Sequence, residues 1–384
     1  MTAREFPAET EKAATSLKFR DAQFDDYEQI FALQARNGLG TKTREEWEHL
    51  WVGNPLYQRM ERWPIGVVGE NIHGEVVAYT ASIPLSYYFR GREIRAVTGW
   101  GMAVDPPYRG NTIFLIRRVL NPRTPVELFF DASARPNVAR IMERIAPRFP
   151  GAGRVPASNW GSACFWITNY RGFAGSFIRS KRLPAIFIYA AAPMVWLKDK
   201  LTRSNAWPGK DGPEVEVHTE VDERFDVFWE ELKRAYPHRL LATRSREMLH
   251  WHFKYPLASG RAWLLTVSDK SRMLAYGVFW RQDNKELNLT RVRLLDFQTV
   301  NGDLQLLVPM LEWAFTKCRR EGIHMLESYG LREDKQMVID DLAPHRRRLP
   351  AWAFFYATFN KELGQKLQDS SAWDPSHFDG DASL

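Results

Sequence analysis

The sequence predicts an α/β (α+β) protein of two related domains, each a mixed, mostly antiparallel sheet with helices on both faces. Three observations carry this prediction. Landmarks of the first half recur in the same order in the second: Tyr27, Ile30 and Phe31 match Phe225, Phe228 and Trp229, Thr43-Arg44 with Trp51 and Pro55 matches Thr243-Arg244 with Trp251 and Pro256, and Ala78-Tyr79 matches Ala275-Tyr276, at offsets between 197 and 201. Apolar spacing alternates between the helical and the strand period in both halves. A polar stretch rich in Gly, Pro, Ser and Asn, 200–213, has linker chemistry and lies where the repeat requires a boundary.

In the first half, helices are expected near 24–36, 43–52, 112–121 and 136–146, with strands near 64–70, 74–86, 92–104, 126–131 and 184–190. In the second half, helices are expected near 222–234, 243–253, 303–321 and 334–342, with strands near 262–267, 272–281, 286–299, 323–329 and 351–359. The helix near 303–321 carries Leu307, Met310, Leu311, Ala314 and Cys318 on one stripe, which marks a core face. The resulting boundaries are an arm at 1–16, an N-terminal domain at 17–199, the linker, a C-terminal domain at 214–363 and a tail at 364–384.

The chain has 384 residues, 45% of them hydrophobic and 15 of them Trp, which is ample material for two cores. Its net charge of +7 suits anionic partners without choosing among them. The two cysteines, Cys164 and Cys318, stand far apart with no metal-ligand spacing, which supports neither a disulfide framework nor a metal site and fits a cytoplasmic setting. The polar residues 1–16 carry no apolar run, so neither a secretory signal nor a span is expected there. The longest apolar run, 183–197, contains Pro184 and Pro193 and is too short to cross a bilayer. Its flanks hold Arg179, Lys181, Arg182, Lys198, Lys200 and Arg203, which would allow shallow contact with an anionic membrane, but Ala185 to Ala190 reads as a buried strand.

The most informative stretch runs from Val97 to Leu120. An apolar strand meets Asp105-Pro106-Pro107, where the ladder must end for want of N–H donors, and Arg109-Gly110 then precedes an amphipathic helix. Gly110 permits a tight reversal, and free amides at a helix N-terminus beside Arg109 form a cradle for a diphosphate. A plain strand-turn-helix connection would use the same residues.

Val104-Asp105-Pro106-Pro107-Tyr108-Arg109-Gly110 resembles the approach to the pyrophosphate loop of the GNAT superfamily of acyl-CoA-dependent N-acyltransferases. Thr112 and Phe114 stand where that loop has Gly and Gly/Ala, and Thr112 is the real departure. The strand Val126 to Asp131 and the helix opening at Pro136-Asn137 resemble the elements that follow, although 138–146 lacks the Tyr that often protonates the leaving thiolate. The resemblance implies two GNAT-like domains, as in tandem members such as N-myristoyltransferases and Fem-type transferases. It implies a V-shaped opening between Val97 to Val104 and Val126 to Asp131 that takes the pantetheine arm of acetyl-CoA or another acyl-CoA. Met102, Ala103 and Val104 would bond that arm, Arg109, Gly110, Asn111 and Thr112 would hold the diphosphate, and Asn137 and Arg140 would meet the nucleotide.

The same resemblance makes Asp131 the first candidate for general base or amine-orienting group, with His49 and Glu46 as further candidates lining the acceptor side. A turn carboxylate and an ordinary exposed helix face are the alternatives. Arg140, Arg144 and Arg148 form either an anion-binding stripe or a solvated face, and His345-Arg346-Arg347-Arg348 either a polar loop or an anion contact. The second half has Asn301-Gly302-Asp303 after its strand, whose acid would repel a diphosphate. The ending from Trp373 to Leu384 resembles that of GNAT-like proteins of bacterial surface-polysaccharide assembly; Trp373 and Phe378 would anchor it and its acids would reach an active site. The function so implied is transfer of an acyl group to an amine on a small molecule or glycan, with no DNA partner. A non-catalytic binding protein and a transferase using aminoacyl-tRNA are the rivals.

Overall fold

The computed structural model describes residues 16–120, 126–156, 160–202, 212–349 and 353–384. The expected arm, up to its last residue, and most of the expected linker lie outside these residues. The first half runs β1 (Lys18–Asp21), α1 (Tyr27–Arg36), α2 (Arg44–Val52), α3 (Pro55–Gln58), β2 (Gly66–Glu70), β3 (Val76–Phe89), β4 (Arg92–Val104), α4 (Thr112–Leu120), β5 (Leu128–Ala134), α5 (Pro136–Ile145), β6 (Gly151–Arg154), β7 (Ser162–Ile167), α6 (Tyr170–Ser180) and α7 (Ile188–Thr202). The second half runs β8 (Val215–His218), α8 (Arg224–Ala235), β9 (Leu241–Ala242), α9 (Arg246–Ala258), β10 (Ala262–Asp269), β11 (Arg272–Arg281), β12 (Arg291–Thr299), α10 (Leu307–Arg320), β13 (Met325–Tyr329), α11 (Glu333–Leu342), β14 (His345–Arg348), β15 (Ala353–Thr358) and α12 (Lys361–Lys366).

Local chemistry explains where these elements start. Thr43 caps α2 by accepting from Glu46 N, while the Glu46 carboxylate accepts from Thr43 N at 3.0 Å. In the second half the cap is Ser245, which accepts from Met248 N, because Arg244 has turned inward. There it forks onto Asp296 at 2.8 and 3.0 Å with no exposure of either side chain. Burial opposes ionisation of Asp296, but Arg244 and the Tyr276 hydroxyl that donates to it hold the carboxyl down to about 2.

Two sheets form, in the orders β1-β2-β3-β4-β5-β15-β6, with β9 beside β3, and β14-β7-β13-β12-β11-β10-β8. Every pairing is antiparallel except β4 with β5 and β12 with β13, which occupy corresponding places in the two sheets. The expected mixed, mostly antiparallel architecture is therefore what the chain adopts, and Ala78, Tyr79, Ala275 and Tyr276 are all buried in matching strands. The stripe Leu307, Met310, Leu311, Ala314 and Cys318 on α10 has no exposed member.

The closing strands differ from expectation. β15, from the second half, lies between β5 and β6 of the first sheet, whereas β7, from the first half, lies between β14 and β13 of the second. Each sheet is thus completed by a strand from the other half. The strand expected near 184–190 is instead a short turn leading into helix α7. An apolar run of this length carries no periodicity that separates strand from helix, and the Ala-rich segment from Ala190 with Met194, Leu197 and Lys198 favours helix. His345 to Arg348 is an edge strand rather than a loop, pinned because Arg347 bonds the buried Glu327.

Candidate active site

β4 and β5 pair at only three positions, Ala96 with Leu128, Val97 with Phe129 and Thr98 with Phe130, and then part. The Thr98 hydroxyl donates to Phe130 O at 2.9 Å as the last stitch. Beyond it β4 stays with β3, while β5 turns to β15. A bulge sharpens the divergence: Gly101 lies at φ +62°, between the pairs Ala81 with Trp100 and Tyr79 with Ala103. Its carbonyl accepts from Gln34 Nε2 at 3.0 Å, and a Cβ there would fall 2.3 Å from that nitrogen, so the positive φ and the close approach together favour glycine.

The opening holds a cavity of about 320 Å³ walled by Trp100, Met102, Ile116, Val119 and Phe129, with a polar end at Asp131, Ser133 and Asp381. Asp381 comes from the far end of the chain. It accepts from Ala132 N at 2.8 Å and from the Ser133 hydroxyl, while Asp131 accepts from Ser133 N at 3.3 Å. Burial, followed by the Asp381 charge, pushes Asp131 well above the usual carboxylate range. Burial raises Asp381 as well, so the pair binds a proton that isolated carboxylates would release.

Past Val104 the chain makes a 3₁₀ turn, Pro106–Asn111, before α4. Asp105 anchors the corner by accepting from Arg36 at 2.7 Å and Asn37 at 2.8 Å. Arg109 and Gly110 face solvent, with nothing within 4 Å of a Cβ built on Gly110. Thr112 keeps right-handed helical angles, and its hydroxyl donates to Arg109 O at 2.8 Å, so that hydroxyl is already engaged within the turn. Ala103 and Val104 are locked to Tyr79 and Ala78 in the ladder. Asn137 accepts from Arg140 at 3.1 Å on the exposed face of α5, which Arg144 shares.

A second groove of about 520 Å³ lies across Trp100 from the first. Its walls include Lys42, Glu46, His49, His252 and Tyr255, and the last residues of the tail, Ser383 and Leu384. Trp100 Nε1 donates to Leu384 O at 3.2 Å and Lys42 Nζ lies 5.6 Å from the Trp100 ring, so tail and indole together divide the two hollows. His49 Nε2 donates to Trp251 O and Trp251 Nε1 donates to His49 O, each at 3.0 Å, tying the repeated helices α2 and α9. Burial lowers Lys42 and His49, and it takes His252, paired with Ser383 Oγ at 2.7 Å, down to about 3.

Of the residues singled out from sequence, Asp131 and Met102 meet in the cavity, Glu46 and His49 line the neighbouring groove, and Arg109 to Thr112 sit on the outer corner. Sequence reasoning did not find Gly101, Lys42, Trp100 or His252. Gly99 and Gly101 inside one strand pattern were a usable signal for the bulge.

No family model and no curated protein sequence matches the chain. Solved structures do. N-myristoyltransferase of Saccharomyces cerevisiae with bound myristoyl-CoA aligns at a TM-score of 0.54 and 15% identity, over 90% of this chain and 79% of that one. The same enzyme with myristoyl-CoA and inhibitors aligns at 0.55, over 89% and 80%, again at 15% identity. The chain has the GNAT fold. A GCN5-related N-acetyltransferase from Anabaena variabilis aligns at 0.50 and 15% identity, over 90% of this chain and 73% of that one.

The two GNAT halves treat their parallel pairs differently. β12 and β13 pair from Arg291 with Met325 to Leu294 with Ser328, and the next carbonyl, Leu295 O, accepts from His377 N at 3.0 Å. Lys335 Nζ, bonded to Phe297 O and to Asp374 Oδ1, fixes the tail alongside β12. The tail therefore occupies the free edge of β12, whereas the corresponding opening in the first half remains hollow.

Proposed function

We propose that the protein is an acyl-CoA-dependent N-acyltransferase whose donor lies in the opening between β4 and β5. The observation that carries this reading is the parting of these strands after Thr98, with a cavity at the fork and a carboxylate pair on its wall. The GNAT fold shared with proteins crystallised with myristoyl-CoA supports it. In this reading the pantetheine arm runs past Met102, Ala103 and Val104. Arg109, Gly110 and Asn111, at the mouth of α4, take the diphosphate, the Thr112 amide being already bonded to Arg109 O. Asn137 and Arg140 lie toward the nucleotide.

The amine enters from the groove beside Lys42, Glu46 and His49. Its nitrogen attacks the thioester carbonyl carbon, the C–N bond forms, the C–S bond breaks, and thiolate departs. Asp131, once deprotonated beside the charged Asp381, takes the proton lost by the amine. A carboxylate raised toward neutrality is better matched to that task than an ordinary one. The second half, its own fork edged by the tail, braces the first and carries the tail to the site. The acceptor we propose is a cytoplasmic amine on a small molecule or an amino sugar of envelope glycan assembly.

The test is release of free thiol from acetyl-CoA and myristoyl-CoA in the presence of amino sugars, sugar nucleotides and peptides. Both native cysteines are buried, and burial pushes Cys164 up to about 12, so they leave the thiol signal to the product. Amine-dependent thiol release supports the reading. Its absence across the panel, together with no heat on titrating either acyl-CoA, would leave a GNAT-fold protein without this chemistry.

A further inference from the structure

Helix α7 breaks the usual rule for an apolar helix. A helix that is apolar all round is normally buried, yet Tyr189 and Met194 on α7 and Ile186 just before it are each at least 70% exposed, with Phe187, Leu197 and Phe177 about half exposed. One side of α7 is moored. Val195 packs against the cluster of Phe165, Ile167 and Met325, and Asp199 is held by the Tyr170 hydroxyl and by His345 Nε2 at 3.1 Å. The rest of the helix, with the turn leading from α6, stands out from the fold as an apolar ridge.

The charge around this ridge has one sign. Between Tyr170 and Thr202 the sequence carries Arg171, Arg179, Lys181, Arg182, Lys198 and Lys200, and the single acid, Asp199, has no exposed surface. The cations sit among aromatic rings: Lys200 Nζ lies 4.9 Å from the Trp196 ring, Arg171 5.6 Å from Tyr189 and Lys181 5.9 Å from Phe177. Fifteen residues of helix span about 22 Å, short of a bilayer's ~30 Å of hydrocarbon. Among the described residues no helix is long and apolar enough to cross a membrane.

We propose that the α6–α7 ridge docks the protein on an anionic lipid surface, with its apolar side chains in the headgroup boundary and its cations on lipid phosphates. Exposed apolar rings and aliphatics rimmed by Arg and Lys alone match that surface in both polarity and charge. A second copy of the chain matches it poorly, since face-to-face pairing would set six cations against six.

Flotation of the full chain with phosphatidylcholine vesicles, with and without phosphatidylglycerol, tests the proposal. Binding to the phosphatidylglycerol vesicles, weakened by salt and absent from phosphatidylcholine alone, is expected. Ile186→Glu with Met194→Glu should lower that binding at least ~10-fold, as should Lys181→Glu with Arg182→Glu, given what each buried apolar group and each juxtamembrane cation contributes. All four side chains are exposed, so thermal unfolding should stay near wild type and confirm folding. No vesicle binding, equal binding to both vesicle types, or binding that survives both variants overturns the proposal. Self-association, or capture of an acidic protein, that Ile186→Glu with Met194→Glu abolishes while vesicles are ignored also overturns it, assigning the ridge to a protein partner.

Discussion

At the scale of single residues, Asp131 and Asp381 decide what the cavity can do. Sequence pointed to Asp131 from its place at the end of a strand, but its partner lies at the other end of the chain, and nothing local to either residue announces that Ser133 and its neighbour Ala132 both bond the Asp381 carboxylate. In Asp131→Asn the shape survives and the proton acceptor is lost, so kcat should fall roughly 10²- to 10⁴-fold with little change in melting temperature. Because a base works only when deprotonated, the wild-type rate should rise with pH through its raised pKa, and the variant should lose that limb. His377 offers a separate test of burial. It stacks on Trp160, burial and then Arg293 depress it to about 3, and its Nε2 is buried without a partner among the described residues. Its neutral form is therefore favoured only in the folded state: the stability it contributes is present above the unfolded value near 6.5 and drains away as pH falls toward 3. Between pH 6.5 and 4.5, wild type should lose about 1.4 kcal/mol per pH unit more than His377→Phe, measured by urea unfolding at each pH.

At the scale of elements, most of what periodicity and turn chemistry foresaw is present. β4 ends at Val104 because Pro106 and Pro107 forbid a continued ladder, and α4 opens at Thr112 as read. Among the misses, α7, β7 and β14 owe their state to tertiary context. β7 and β14 are defined by the strands beside them, and α7 is an apolar segment that the fold leaves uncovered. The corner before α4 carries a proposal of its own. With Asp105 fixed by Arg36 and Gly110 unobstructed, Arg109→Ala should remove a charge from the diphosphate site without disturbing the turn. The Michaelis constant for acyl-CoA should rise roughly tenfold while kcat changes little, and that split separates a cofactor contact from a structural one.

At the scale of the whole molecule, the exchange of β7 and β15 makes the two halves a single object. The repeat was legible as paired landmarks, but a repeat alone implies two side-by-side units, and strand exchange between them leaves no trace in local pattern. Cleavage at a protease site engineered between 203 and 211 should therefore yield two fragments that co-elute and unfold together, because each sheet still contains a strand of the other half. Two separately melting fragments would contradict this. The tail extends the same logic: Trp373 packs on Phe130 of the first half, Phe378 on His252 and Phe253 of the second, and the residues beyond them wall both hollows.

The account rests on acyl-CoA entering the fork of β4 and β5, and calorimetric titration of acetyl-CoA and myristoyl-CoA into wild type and Gly99→Phe measures this most directly. Gly99 lines the cavity, and a Cβ there would meet its nearest neighbour, Thr80 Oγ1, at 3.5 Å, so the backbone accepts a side chain while the ring fills the opening. Saturable binding to wild type that is lost in Gly99→Phe, with melting temperature preserved, is the predicted result. Equal binding by both proteins would contradict it and move the donor elsewhere.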